Sequence, residues 1–228
     1  MDRVRNIFSI PDEGIFGGRT NDNIELLKAW AGTTLAFAIL QSGGLQNIVR
    51  PQFITNLLIS AIVCGLAFIL HELAHRVVAR HYGAEAHFIA NNGWLLISIV
   101  IACLGFFIAA PGAVWHRGYL TSRQSGLIAL AGPATNLILS VIFLIGLVIL
   151  QIGFERGGIF PPGWVLALCY VGFKLNAWIG LFNMIPSGPF DGAKVLHWSP
   201  VVFGVTVVIG VVLAFFIDQV FSLLLRFF

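Results

Sequence analysis

Phe68-Ile69-Leu70-His71-Glu72-Leu73-Ala74-His75 places an H-E-x-x-H pattern inside a long apolar run. Residues four apart lie on one helical face about a turn apart, so His71 and His75 can offer ring nitrogens to one cation. Glu72 then sits beside that cation. Two imidazoles plus a carboxylate that can take a proton from water is the arrangement of a zinc hydrolase. The alternative is a satisfied pair of core histidines. The setting argues against it, because Phe53 to Val78 is apolar apart from Thr55, Asn56 and the residues around the motif. Ionisable groups at membrane depth cost about 2.5–3.5 kcal/mol each on insertion scales, so they normally mark a functional site.

Of the 228 residues, 58% are hydrophobic and 10% charged, and the mean hydropathy is +0.91. That composition indicates an integral membrane protein whose spans consume most of the length. The net charge is +3, but the basic residues are scattered rather than massed in a stripe. They read as topology signals, and no nucleic-acid partner is expected. Cys64, Cys103 and Cys169 form no C-x-x-C pair and read as small core residues.

Taken in order, residues 1–25 read as a short cytoplasmic lead-in, without the pattern of a cleavable signal peptide, and 26–228 as one transmembrane domain. Apolar spans are expected at Leu26 to Leu40, Phe53 to Arg80, Leu127 to Ile152, Trp164 to Ile185 and Val201 to Ile217. Trp94 to Ala110 is apolar enough to span, yet it is rich in β-branched and aromatic residues and ends in Pro111-Gly112. The expected fold is an all-α polytopic membrane protein with five to six transmembrane helices and a membrane-embedded hairpin or re-entrant segment near 94–112. Within the later spans, Ala131-Gly132-Pro133 permits close helix approach, and Asn176, Gly180 and Asn183 form a small and polar stripe. Two prolines and two glycines between Asn183 and Gly192 break the helix, which membrane depth tolerates only where the backbone is buried in protein or lines a cavity.

A catalytic zinc takes three protein ligands and keeps one position open, and one helix does not supply the third. Asp191, in that broken segment, is the candidate, with a turn-capping aspartate before Gly192 as the other reading. Together, His71-Glu72-Leu73-Ala74-His75, Ala131-Gly132-Pro133 with Asn136, and Asn183-x-x-Pro186-x-x-x-x-Asp191-Gly192 resemble the three motifs of the site-2 protease family, intramembrane zinc metalloproteases. The resemblance covers residues 53–195. It implies one zinc per chain held by His71, His75 and Asp191, with Glu72 as general base. It also implies Asn183 as a holder of substrate or oxyanion, cleavage of transmembrane substrates in or near the bilayer, and short strands in Trp94 to Ala110. Asn136 is a second candidate for the substrate or oxyanion, although bonding between helices suits it better. Neither the PDZ nor the CBS domain that many members carry is expected here.

If His71, His75 and Asp191 share an ion, the chain crosses the membrane an even number of times between the two motifs. Leu127 to Ile152 and Trp164 to Ile185 supply two crossings, so Trp94 to Ala110 is expected to turn back. An exposed strand edge there could pair with an unwound substrate. With the N-terminus inside, most basic residues fall on the cytoplasmic side and Arg50, Arg156 and Arg226 outside, which puts the active site nearer the cytoplasmic face of a multi-pass protein. Lys174 reads as a snorkelling cation and Asp218 as an interfacial end residue. The competing functional class is a zinc-binding membrane scaffold or transport protein without hydrolysis. A zinc protease of prenylated or soluble substrates would need a downstream glutamate ligand, and Glu85 and Glu155 are poorly placed for it.

Overall fold

The computed structural model describes residues 21–107, 112–158, 160–188 and 190–216. Most of the lead-in and also Asp218, Arg226 and the end of the Trp94 to Ala110 stretch lie outside the described residues. Helix α1 (Asp22–Gln41) starts where the Asn21 side chain accepts the Asn23 N–H, with Asp22 and Glu25 in the first turn. A 30-residue rod follows: α2 (Gln52–Cys64), a π-helical turn (Gly65–Ile69) and α3 (Leu70–His81). Strand β1 (Glu85–Ala90), helix α4 (Asn92–Cys103) and strand β2 (Gly112–Arg117) come next. Helix α5 (Ser122–Gly157) opens with a capping box between Thr121 and Gln124 and closes at Gly158, whose φ of +62° suits glycine. Helices α6 (Gly163–Phe182), α7 (Asp191–Trp198) and α8 (Pro200–Phe215) are the last elements among the described residues.

Among the described residues, three helical rods can cross a membrane by length and composition: Gln52–His81, Ser122–Gly157 and Gly163–Phe182. Asn92–Cys103 and Pro200–Phe215 are apolar but shorter. The 36 residues of α5 reach about 54 Å at 1.5 Å per residue, more than the roughly 30 Å hydrocarbon core. Its outward face presents Ile138, Ile142, Ile145 and Ile149, spaced four, three and four residues and all exposed. Such a stripe suits hydrocarbon better than water. The opposite side packs on α6, where Leu137, Leu144 and Leu147 meet Phe173 and Ala177, with Leu213 of α8 behind them. Phe37, Ile59, Val63, Phe68, Leu175 and Ile179 join α1, α2, the π turn and α6 in a second cluster.

The 94–110 stretch departs from expectation. Asn91 caps it by accepting the Trp94 N–H, and its β-branched run is helical through Cys103. With one face packed on α1 and the other exposed and apolar, intrinsic strand propensity is a weak guide, and a helix satisfies its backbone internally. The strands lie outside the stretch, at 85–90 and 112–117. They pair antiparallel, from Glu85 with Arg117 to Ala90 with Gly112. Because Ala90 and Gly112 are a paired rung, the chain between them leaves and returns at one place.

Two polar ties organise the periphery. Asp22 at the start of α1 holds Arg76 of α3 at 3.2 Å and His87 of β1 at 3.0 Å, while Glu25 accepts the Ala90 N–H. Lys174 donates to the Ala214 carbonyl near the C-terminal end of α8 at 3.3 Å, so it serves a helix terminus instead of reaching outward.

Candidate metal centre

The π turn just before the H-E-x-x-H helix adds an extra residue to the local repeat and so changes which face follows it. Upstream, Ile59, Val63 and Cys64 face the core; downstream, His71 and His75 are buried toward α5. Trp30 of α1 steadies the approach by donating its indole N–H to the Ala61 carbonyl at 2.8 Å. The Ala67 carbonyl, within the π turn, accepts from the Asn136 amide at 2.8 Å.

Asp191 arrives from the other end of the sequence. Helix α6 ends at Phe182, and the Gly192 N–H donates to the Asn183 carbonyl at 2.8 Å, folding the turn back on the helix end. Gly192 has to be glycine there, since a Cβ would stand 2.2 Å from the Met184 carbonyl oxygen. Asp191 is thereby the first residue of α7, with Oδ2 3.1 Å from His75 Nε2 and 3.6 Å from His71 Nε2. The two Nε2 atoms are 3.0 Å apart. Burial alone raises the Asp191 pKa, but His75 and His71 outweigh it and hold the carboxyl below the usual carboxylate range.

This donor set fits zinc. One ligand atom from each residue lies within 4.8 Å of the others. Tetrahedral zinc with bonds of about 2.0–2.2 Å sets its nitrogen and oxygen ligands roughly 3.3–3.6 Å apart, within a few tenths of an ångström of the separations here. The His75 Nδ1–H donates to the Ile128 carbonyl at 2.7 Å, which leaves Nε2 with a lone pair toward the cluster. Pro133 has no N–H for the Ala129 carbonyl, loosening the same region of α5. Gly132 completes the cradle. A Cβ on it would lie 2.3 Å from His75 Nε2 and 2.5 Å from His71 Nε2, which is close to where an ion bonded to both would sit.

Glu72, half-buried one residue beyond His71, lies within electrostatic reach of His71, Asp191 and Lys194. Among the described residues, no hydrogen bond or ion pair engages its carboxylate. Asn136 is wholly buried behind His71, its Oδ1 2.5 Å from Nδ1 and its Nδ2 bonded to Ala67 and Asn176. These bonds tie α5 to the π turn and to α6, the helix-to-helix bonding that suits this residue. The Asn183 amide nitrogen donates to the Ile179 carbonyl of its own helix at 3.0 Å. Sequence reasoning missed the cradle at Gly132, read only as a small residue between helices, and the Ile128 carbonyl, which no side-chain pattern reports. The signal for Gly132 was its place beside Pro133 and Asn136 in one short motif.

Comparison with known proteins points the same way. "Putative zinc metalloprotease MJ0611" of Methanocaldococcus jannaschii is 41% identical over 159 residues, covering 68% of this chain and 78% of that protein. "Putative zinc metalloprotease YwhC" of Bacillus subtilis is 32% identical over 161 residues, 65% of this chain and 69% of that one. "Zinc metalloprotease MJ0392" of M. jannaschii is 28% identical over 153 residues, 66% of this chain and 38% of that protein. No family model matches the chain, and no solved structure matches it.

Proposed function

This chain belongs to the site-2 protease-like family of zinc metalloproteases, and from that premise we propose that it hydrolyses peptide bonds in or near the transmembrane segments of membrane-protein substrates. The observation that carries this reading is the convergence of His71, His75 and Asp191 beside a Glu72 carboxylate that, among the described residues, takes part in no hydrogen bond or ion pair. His71, His75 and Asp191 hold one zinc. When bound, zinc supplies Lewis acidity toward a water and toward the scissile carbonyl.

Glu72 takes a proton from the attacking water as its oxygen adds to the carbonyl carbon. It returns that proton to the nitrogen as the C–N bond breaks, leaving a carboxyl and an amine. The Ile128 carbonyl and Asn136 hold the imidazoles in place during this cycle, and Gly132 keeps space open at the cluster. Substrate backbone must unwind before cleavage, because helical peptide groups are otherwise paired. The β1–β2 ribbon beside α3 offers an edge on which an extended segment can add as a strand. The protein is proposed as multi-pass, with α4 re-entrant and the metal nearer the cytoplasmic face, as the distribution of basic residues supports.

The test is cleavage of a single-span reporter by the full chain in proteoliposomes, with zinc content measured alongside. Cleavage within or next to the span that needs zinc, Glu72 and Asp191 is expected. A zinc-loaded protein equally inactive on a panel of spans and on soluble peptides would favour a non-hydrolytic zinc protein.

A further inference from the structure

Asn176 of α6 and Asn136 of α5 are both fully buried and bonded to each other. An asparagine amide can be turned over, whereas a backbone carbonyl only accepts. Carbonyls at two ends therefore settle the polarity of the pair. The Gly172 carbonyl takes a hydrogen from Asn176 Nδ2 at 2.9 Å, which turns Asn176 Oδ1 toward Asn136. Asn136 Nδ2 then serves two oxygens, Asn176 Oδ1 at 2.9 Å and Ala67 O at 2.8 Å, and its own Oδ1 faces His71 Nδ1. That oxygen accepts, so Nδ1 carries the ring proton and Nε2 keeps its lone pair. Turning Asn136 over would set its oxygen against two others and present N–H groups to His71 Nδ1. The ring proton would then move to Nε2, the nitrogen that faces the cluster.

We infer that Asn176 is a positioning residue that acts through Asn136 to hold the His71 proton on Nδ1 and so keep Nε2 available to the cation. It makes no hydrogen bond to the metal cluster itself. This deepens the zinc reading of that cluster and rests on it. Outer groups that orient a histidine ligand typically change metal affinity about 10–100-fold when removed.

The experiment uses the full chain in detergent, with zinc affinity from chelator competition and ring ¹⁵N spectra of labelled histidine, so no proteolysis is needed. Asn176→Leu keeps the heavy-atom count and branching and removes the oxygen; Asn176→Asp keeps an oxygen toward Asn136 at the cost of burying a carboxyl. We expect Asn176→Leu to weaken zinc binding about 10–100-fold and reduce the Nδ1-protonated fraction of His71, with Asn176→Asp less affected. A side chain that only packs gives the reverse order, with Leu tolerated and Asp damaging, and that order overturns the inference. So does an unchanged His71 tautomer in Asn176→Leu. Asn176→Ala gives the same reading should the leucine variant not fold. If the wild-type chain binds no zinc, the metal reading fails, and the spectra of the zinc-free protein still decide whether Asn176 sets the tautomer.

Discussion

A Cβ on Gly132 would stand 2.3 Å from Nε2 of His75, so the residue that faces the cluster from α5 is restricted to glycine. Both ring atoms it would meet are the far ends of side chains, held from behind by Ile128 and Asn136. Gly132→Ala therefore displaces the rings rather than the helices. The expected outcome is a folded, helical protein that retains little zinc, checked by metal analysis beside far-UV circular dichroism. Full zinc occupancy in that variant would contradict the cradle.

Glu72 lies beside the cluster without being one of its three converging ligands. Glu72→Gln should keep zinc near the wild-type level and lower the cleavage rate by at least about 100-fold, the lower end of what a positioned acid–base group contributes. Rates with the reporter substrate and zinc content in the same preparation separate loss of chemistry from loss of metal.

His75 and Asp191 come from opposite ends of the core, and 3.1 Å separates their facing atoms. Single His75→Ala and Asp191→Ala substitutions should each reduce zinc from about one per chain toward zero. Chelation of the wild-type protein should abolish cleavage, and added zinc should restore it. Zinc that persists in Asp191→Ala would assign the third ligand elsewhere.

Asp22 joins α1 to Arg76 and His87, and the side chains of Asp22 and Arg76 are 11% and 19% exposed. Removing the carboxylate in Asp22→Ala leaves Arg76 without this ion-pair partner and should cost about 1–3 kcal/mol, the range for a buried polar group left unsatisfied. Hydrogen exchange should quicken in Glu85–Ala90, which this tie and Glu25 hold to α1, while the middle of α5 stays protected.

Much of the site was legible beforehand because its rule is local. His71 and His75 are four apart on one helix, and helical geometry alone puts them on one face. The apolar runs around 52–81, 122–157 and 163–182 were equally plain, since a span is a matter of length and composition. The stretch after Trp94 was less so. Its β-branched residues suit a strand and equally a helix with apolar surroundings, and pairing of Glu85–Ala90 with Gly112–Arg117 depends on partners more than twenty residues apart.

By itself, then, the sequence determined the apolar rods, the histidine pair with Glu72 between them, and the break after Asn183 that carries Asp191, because periodicity and backbone chemistry act over a few residues. Only the tertiary structure decided that Gly132 leaves room at the cluster, that Asn136 stands behind His71 with both ends of its amide engaged, and that Lys174 serves the end of α8. Each of those roles is set by which face of one helix meets another, and side-chain identity along the chain does not encode that contact until the helices are packed.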